Sequence, residues 1–273
     1  MSLFGELQFG FSRAVSDDED DEFARVEPNL NFKRKIQWLE ESTEKIEVDE
    51  LILADGPISC AFLHVYLLNH LNESEKKLLG LSATNSEFKV FQNDDKTDSE
   101  LNRMRKNLIY KVDNLNNKSY LVCEVFTNLK SNEFYDWIDQ LWERVNFKAC
   151  TILCSQNQTS YFSSNRQEFP CVKYLSSNKE MATADKCQRL EEPNFLQNLP
   201  AAMIQFCVLK KLEFTAFVCY SPSINVDIQS VKETFSGVSG LLKDKNIFKN
   251  DDLSKKCLLN VGNLVNSVSG LYM

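Results

Sequence analysis

The chain has 273 residues, 43% hydrophobic and 26% charged, with 8 glycines and 6 prolines. That is enough apolar material for a sizeable core in one large domain or two small ones, and it is not the composition of a disordered or fibrous chain. The formal net charge of −8 repels phosphate backbones and anionic headgroups, so nucleic acid and membranes are not expected as partners. No stretch approaches the roughly 18 uninterrupted apolar residues of a membrane helix, and Met1-Ser2-Leu3-Phe4-Gly5-Glu6 lacks the basic start and long apolar run of a secretory signal. The 9 cysteines sit mostly inside apolar runs, such as Leu121-Val122-Cys123 and Phe217-Val218-Cys219. They are expected to be reduced, buried thiols of a cytoplasmic protein. The Asn-x-Ser/Thr triplets at Asn72, Asn117 and Asn157 then meet no glycosylation machinery.

Residues 1–30 read as an acidic flexible arm, because Asp17-Asp18-Glu19-Asp20-Asp21-Glu22 repels itself and resists compaction. Its plain role is solubility, and Ser16 just before the run is a candidate for an acid-directed kinase. An α/β domain is expected over 31–259. Leu51-Ile52-Leu53-Ala54 is a buried strand that ends at Asp55-Gly56-Pro57, where Asp or Gly caps a helix and Pro suits its first turn. That helix runs to about Leu71, with Ile58, Phe62, Val65 and Leu68 near one face. Strands are expected at 86–92, 106–112 and 119–126, the first two separated by a polar loop from Asn93 to Arg105. From Ser131 onward Phe134, Trp137, Ile138, Leu141, Trp142 and Val145 form a helical stripe that packs on a sheet. A strand follows at Lys148 to Cys154. Residues 155–190 are polar and irregular apart from Val172 to Leu175, and loops are expected there.

Asn198 is positioned to cap a helix with Pro200 in its first turn. Apolar residues cover most of that helix's circumference, so it should be largely buried, with Ala201 and Ala202 allowing close approach. Phe214 to Tyr220 is nearly continuous in apolarity, the pattern of a strand covered on both faces. Asp227 caps a helix with Ile228, Val231, Phe235 and Val238 on one face, and Gly237 and Gly240 weaken its end. Strands alternating with helices predict a single open sheet flanked by helices. The stretch from Val261 to Gly270 is rich in Asn, Ser and Gly, and 260–273 reads as a mobile C-terminal docking tail.

No catalytic constellation emerges from the residue pattern. His64 and His70 lie six apart on one helix and point to different faces, so they do not chelate one metal. Cys150 and Cys154 fit a strand better than a zinc site. There is no Gly-x-Gly-x-x-Gly, Walker loop or Gly-x-Ser-x-Gly elbow, and no cofactor or metal is expected. Asp55 stands where α/β enzymes place a catalytic group, though capping explains it equally well. The last three residues, Leu271-Tyr272-Met273, offer an apolar anchor, a ring with a hydroxyl, and a carboxylate able to pair with a lysine.

Two stretches together resemble a known family. Leu190-Glu191-Glu192-Pro193-Asn194-Phe195-Leu196-Gln197-Asn198-Leu199-Pro200-Ala201-Ala202, with Cys207 and Phe217-Val218-Cys219-Tyr220-Ser221, is similar to the central signature of the proteasome assembly chaperone 1 family. Phe4-Gly5-Glu6 followed by an acidic run resembles that family's start, and Leu271-Tyr272-Met273 its hydrophobic–tyrosine–any ending. The resemblance implies a nucleoside-phosphorylase-like α/β fold without that activity. It implies a heterodimer with the related proteasome assembly chaperone 2 that binds the forming proteasome α-ring, with Leu271, Tyr272 and Met273 entering pockets between α-ring subunits. It implies a cytoplasmic location, with association with the endoplasmic reticulum left open. Two other readings stand beside it: an enzyme on the phosphorylase-like fold using Asp55, and an adaptor whose acidic arm does the binding.

Overall fold

The computed structural model describes residues 34–40, 44–84, 87, 107–126, 129–163, 166–178, 187–223, 225–242 and 247–269. Eleven strands occur among them: β1 (Lys35–Trp38), β2 (Ile46–Glu47), β3 (Glu50–Asp55), β4 (Lys76–Ala83), β5 (Asn107–Leu115), β6 (Lys118–Val125), β7 (Val145–Asn146), β8 (Ala149–Asn157), β9 (Cys171–Ser176), β10 (Gln188–Arg189) and β11 (Glu213–Ser221). The helices are α1 (Pro57–Tyr66), α2 (Phe134–Arg144), α3 (Asn198–Lys210), α4 (Ile228–Leu241) and α5 (Asp252–Ser269). Nine strands form one open sheet in the order β1-β4-β5-β6-β3-β8-β11-β9-β10, and β2 and β7 pair separately. The centre, β6-β3-β8-β11, is parallel, with Leu53 opposite Cys123 and Ile152, and Phe217 opposite Leu153.

Alternation along these central strands splits the core into two layers. Leu51, Leu53, Leu121, Ile152, Ala216 and Val218 face α2 and α3, where Trp137, Ile138, Leu141, Met203 and Cys207 cover them. Ile52, Ala54, Val122, Leu153, Phe217 and Cys219 face the other way, onto Phe62, Val65, Val231, Val238 and Leu258 of α1, α4 and α5. Strands clad on both sides turn apolar residues to both faces, and this is why Leu51-Ile52-Leu53-Ala54 is unbroken and Phe214 to Tyr220, interrupted by Thr215, is nearly so. The open sheet flanked by helices is the architecture that strand–helix alternation predicts.

Local chemistry sets the helix ends. The Asp227 carboxylate accepts from the Ser230 N–H at 2.7 Å and starts α4 as expected. One other expected cap differs. α3 begins at Asn198 itself, whose φ is 58°, and Gln197 before it makes no side-chain cap bond. Of the two residues expected to cap α1, Gly56 and not Asp55 occupies the place, at φ 87°, a conformation natural to glycine, and its N–H donates to Val125 O at 2.9 Å. Gly237 does more than weaken a helix. A Cβ there would stand 2.8 Å from Val172 Cγ1, so the missing side chain lets α4 lie against β9.

Two further expectations change, one strand was not expected, and one expectation falls almost wholly outside the described residues. The strand β4 was not anticipated, because Lys76-Lys77-Leu78-Leu79-Gly80 lacks clean alternation; its pairing with β5 and β1 creates it. Of the strand expected at 86–92, only Glu87 is among the described residues, and the loop 93–105 lies outside them. The loops expected over 155–190 include β9, which completes the ladder of β11, and β10 beside it. The described part of the expected tail, 260–269, continues α5.

Candidate protein-binding surface

The residue trio on which docking was expected, Leu271, Tyr272 and Met273, lies outside the described residues, as do Ser16 and the acidic run. The signature around residues 190–221 is described throughout and builds two features on the α2–α3 side.

The first is a polar clasp beyond β8. Glu191 accepts a hydrogen bond from Tyr161 Oη and lies 3.4 Å from Lys173 Nζ. Lys173 is buried in the middle of β9, donates to Gln188 Oε1 at 3.0 Å, and holds its ammonium 5.4 Å from the Tyr161 ring centre. Burial works against charging Glu191, yet the hydrogen bonds it accepts and the Lys173 charge hold its carboxyl below the ordinary value. Asn194 then clamps the backbone of Phe162. It accepts the Phe162 N–H at 2.7 Å and donates to Phe162 O at 2.8 Å. Phe162 and Phe195, the latter next to Asn194 in the chain, are 57% and 61% exposed.

The second feature is a ridge along α2 and α3. Tyr135 Oη donates to Gln205 Oε1 at 2.7 Å, bridging the helices. One end carries Trp142, packed edge-on against Phe147 and Phe206 and flanked by Lys45 Nζ at 5.9 Å and Lys210 Nζ at 5.6 Å from its ring. Val208 and Leu209 stand outward at 60% and 73% exposure. This departs from the largely buried α3 expected from its all-round apolarity. One face of the helix packs on the sheet through Met203, Phe206 and Cys207, and the remaining apolar face points to solvent. Large apolar side chains grouped on a surface and rimmed by charge are features of protein contact sites.

The carboxyl ends of the parallel strands hold a different arrangement. Burial raises the Asp55 carboxyl to about 7. Val125 and Cys154 flank it in the ladder, and both belong with Leu129, Tyr161 and Tyr220 to the packed core on the α2–α3 side, with the Tyr161 and Tyr220 rings 4.7 Å apart. Both histidines serve the fold. His64 Nε2 lies 3.0 Å from Glu124 Oε1 within the other layer, without hydrogen-bond alignment. His70 Nε2 contacts Ser254 Oγ at 2.8 Å and ties the start of α5 to the turn after α1. The cysteines are free thiols, eight of them buried. Among the described residues no group of three His, Cys, Asp or Glu is placed to hold a metal, and no helix is long and apolar enough to cross a membrane.

A family model, PAC1, described as "Proteasome assembly chaperone 4", matches residues 1–273. The chain belongs to this proteasome assembly chaperone family. Among similar curated proteins, proteasome assembly chaperone 1 of Homo sapiens is 24% identical over 280 residues, covering 94% of each chain. The Nematostella vectensis protein of the same name is 25% identical over 195 residues, covering 70% of this chain and 72% of its own. Among solved structures, Pyrococcus furiosus PbaB, an archaeal proteasome activator, aligns with a TM-score of 0.54 at 14% identity, covering 87% of this chain and 99% of that one. P. furiosus PbaA, an archaeal homolog of proteasome-assembly chaperone, aligns at 0.52 and 12% identity, covering 87% and 100%. At such identities these two structures speak for the fold, and the family rests on the sequence match.

Residue pattern alone had pointed to the tail and to Asp55, and had passed over Phe162, Phe195, Tyr135, Val208 and Leu209. The one available signal was the excess of apolar residues around α3, more than a single packed face uses.

Proposed function

We infer that this protein is a proteasome assembly chaperone, a binding protein that assists formation of the proteasome core particle. The observation that carries this is the family match over residues 1–273, on a body with the architecture of the archaeal assembly-chaperone homolog. We further propose that it acts as a heterodimer with the related assembly chaperone 2 in the cytoplasm and binds the forming α-ring. In this reading 1–30 is an arm, 31–259 the chaperone body, and 260–273 a segment whose final Leu271-Tyr272-Met273 docks between α-ring subunits.

The tail chemistry fits a reversible contact. One ring, one apolar anchor and one ion pair give no better than about micromolar affinity. A second tail on the same dimer raises occupancy through effective concentration, while each contact stays weak enough to release. The chaperone reading is also non-catalytic, supported by the packing of Leu129, Tyr161 and Tyr220 at the strand ends where an enzyme needs an open polar cavity.

Co-purification of the tagged protein from its own cells, with and without residues 271–273, tests the reading. The full chain should carry assembly chaperone 2 and α-ring subunits. The truncated chain should keep the chaperone partner and lose most of the α-ring. Equal recovery of α-ring subunits by both chains would refute the tail's role, and absence of proteasome subunits from both would refute the chaperone reading.

A further inference from the structure

The ridge of α2 and α3 carries an unusual pairing for a chain of net charge −8. Val208 and Leu209 are its most exposed apolar residues, and beside them Lys45 and Lys210 flank Trp142, with Lys211 next along the chain and exposed. Among the described residues no carboxylate lies within ion-pair distance of Lys45, Lys210 or Lys211. Asp139 lies on the same face of α2, between Tyr135 and Trp142 in the helical repeat. At the Trp142 end the exposed Glu143 follows Trp142 on α2, and three lysines that form no ion pair among the described residues stand beside it.

The complementary chemistry is present in the same chain. Asp17 to Glu22 are six consecutive acids, followed by Phe23. The point where residues 1–33 join the described body is also on this side, since the Arg34 N–H donates to Glu133 Oε1 at 3.2 Å and the Ile36 N–H to Gln140 Oε1 at 3.0 Å. Phe23 precedes Arg34 by eleven residues, which span up to roughly 36 Å when extended. The whole of α2 is only about 16 Å long. The acidic run thus has ample reach to the Trp142 end of the ridge.

We propose that Asp17–Glu22 and Phe23 dock in cis on the α2–α3 ridge, the carboxylates over Lys45, Lys210 and Lys211 and the Phe23 ring against Val208 and Leu209. The arm is then an intramolecular cover for an apolar surface, held largely by charge and displaced by a partner protein that competes for it. Such a cover is weakened by salt, because exposed ionic contacts are screened beyond the Debye length.

Zero-length carbodiimide crosslinking of the full chain, read by mass spectrometry on a 1:1 mixture of unlabelled and 15N-labelled protein, tests this. Crosslinks should join Asp17–Glu22 to Lys45, Lys210 and Lys211 within single isotopic species, and fall about tenfold between 20 and 500 mM salt. They should vanish in Lys45→Glu/Lys210→Glu/Lys211→Glu, whose exposed substitutions leave thermal unfolding unchanged. A second variant with residues 17–22 changed to Asn and Gln should hasten proteolytic cleavage within residues 1–33 at least threefold. The proposal is overturned if crosslinks are absent, spread equally to Lys77, Lys118 and Lys255, or persist in the reversed variant. Isotopically mixed products would overturn the cis arrangement by showing a second copy on the ridge.

Discussion

Replacement of Asp55 by Asn isolates what a partly buried carboxyl costs this fold. Asp55 ends β3 opposite Val125 and Cys154, and burial lifts its carboxyl from 3.8 to about 7. The native state therefore holds a proton there that the unfolded chain has lost over most of the interval between those values. Stability must fall as pH rises from about 4 to about 7, by up to 1.36 kcal/mol per pH unit, and level off above. The full interval amounts to roughly 4 kcal/mol. Asp55→Asn keeps the shape and removes the charge, at the risk of leaving an amide short of partners, about 1–3 kcal/mol. Urea unfolding from pH 4.5 to 8.5 should show the variant more stable than the parent by about 1–3 kcal/mol at pH 8 and no more stable at pH 4.5. Parallel stability curves for the two proteins across that range would refute the assignment of a desolvated, neutral carboxyl to this position.

Gly237→Ala should destabilise the protein by about 1 kcal/mol, because the contact with Val172 costs more than the roughly 1 kcal/mol that alanine gains in a helix. Denaturant unfolding of Gly237→Ala in a Val172→Ala background should show the opposite sign. Asp227→Ala removes the α4 cap bond to Ser230 and should lower stability by about 1 kcal/mol, read in the same assay. Glu191→Gln leaves the buried Lys173 without its carboxylate, and should cost about 1–2 kcal/mol at pH 7, since Glu191 itself is partly exposed.

The unevenness of the sequence reading follows the range of the forces involved. The α2 stripe and the Asp227 cap were legible because helix periodicity and capping act over three or four residues. The clad strands β3 and β11 were legible because burial on both faces favours apolar residues at successive positions. The strands β4 and β9 were not, since Gly80 in one and Lys173 in the other are tolerated only through neighbours remote in the chain. Lys173 is acceptable inside a sheet because Glu191 and Gln188 arrive to satisfy it. Asp55 looked like a cap, and only the φ of Gly56 shows that the glycine took that place and left the carboxyl partly buried at the strand end.

What the sequence determined by itself is the α/β alternation, the acidic run and the family signature, all properties of residue order and local period. Tertiary structure decided which parts of the apolar α3 face outward, that Gly237 is a contact rather than a weakness, and that Asn194 clamps the backbone of the exposed Phe162. Each of those depends on which side of a helix or strand the sheet has already used. A linear pattern carries the number of apolar residues but not the shape of the surface that consumes them.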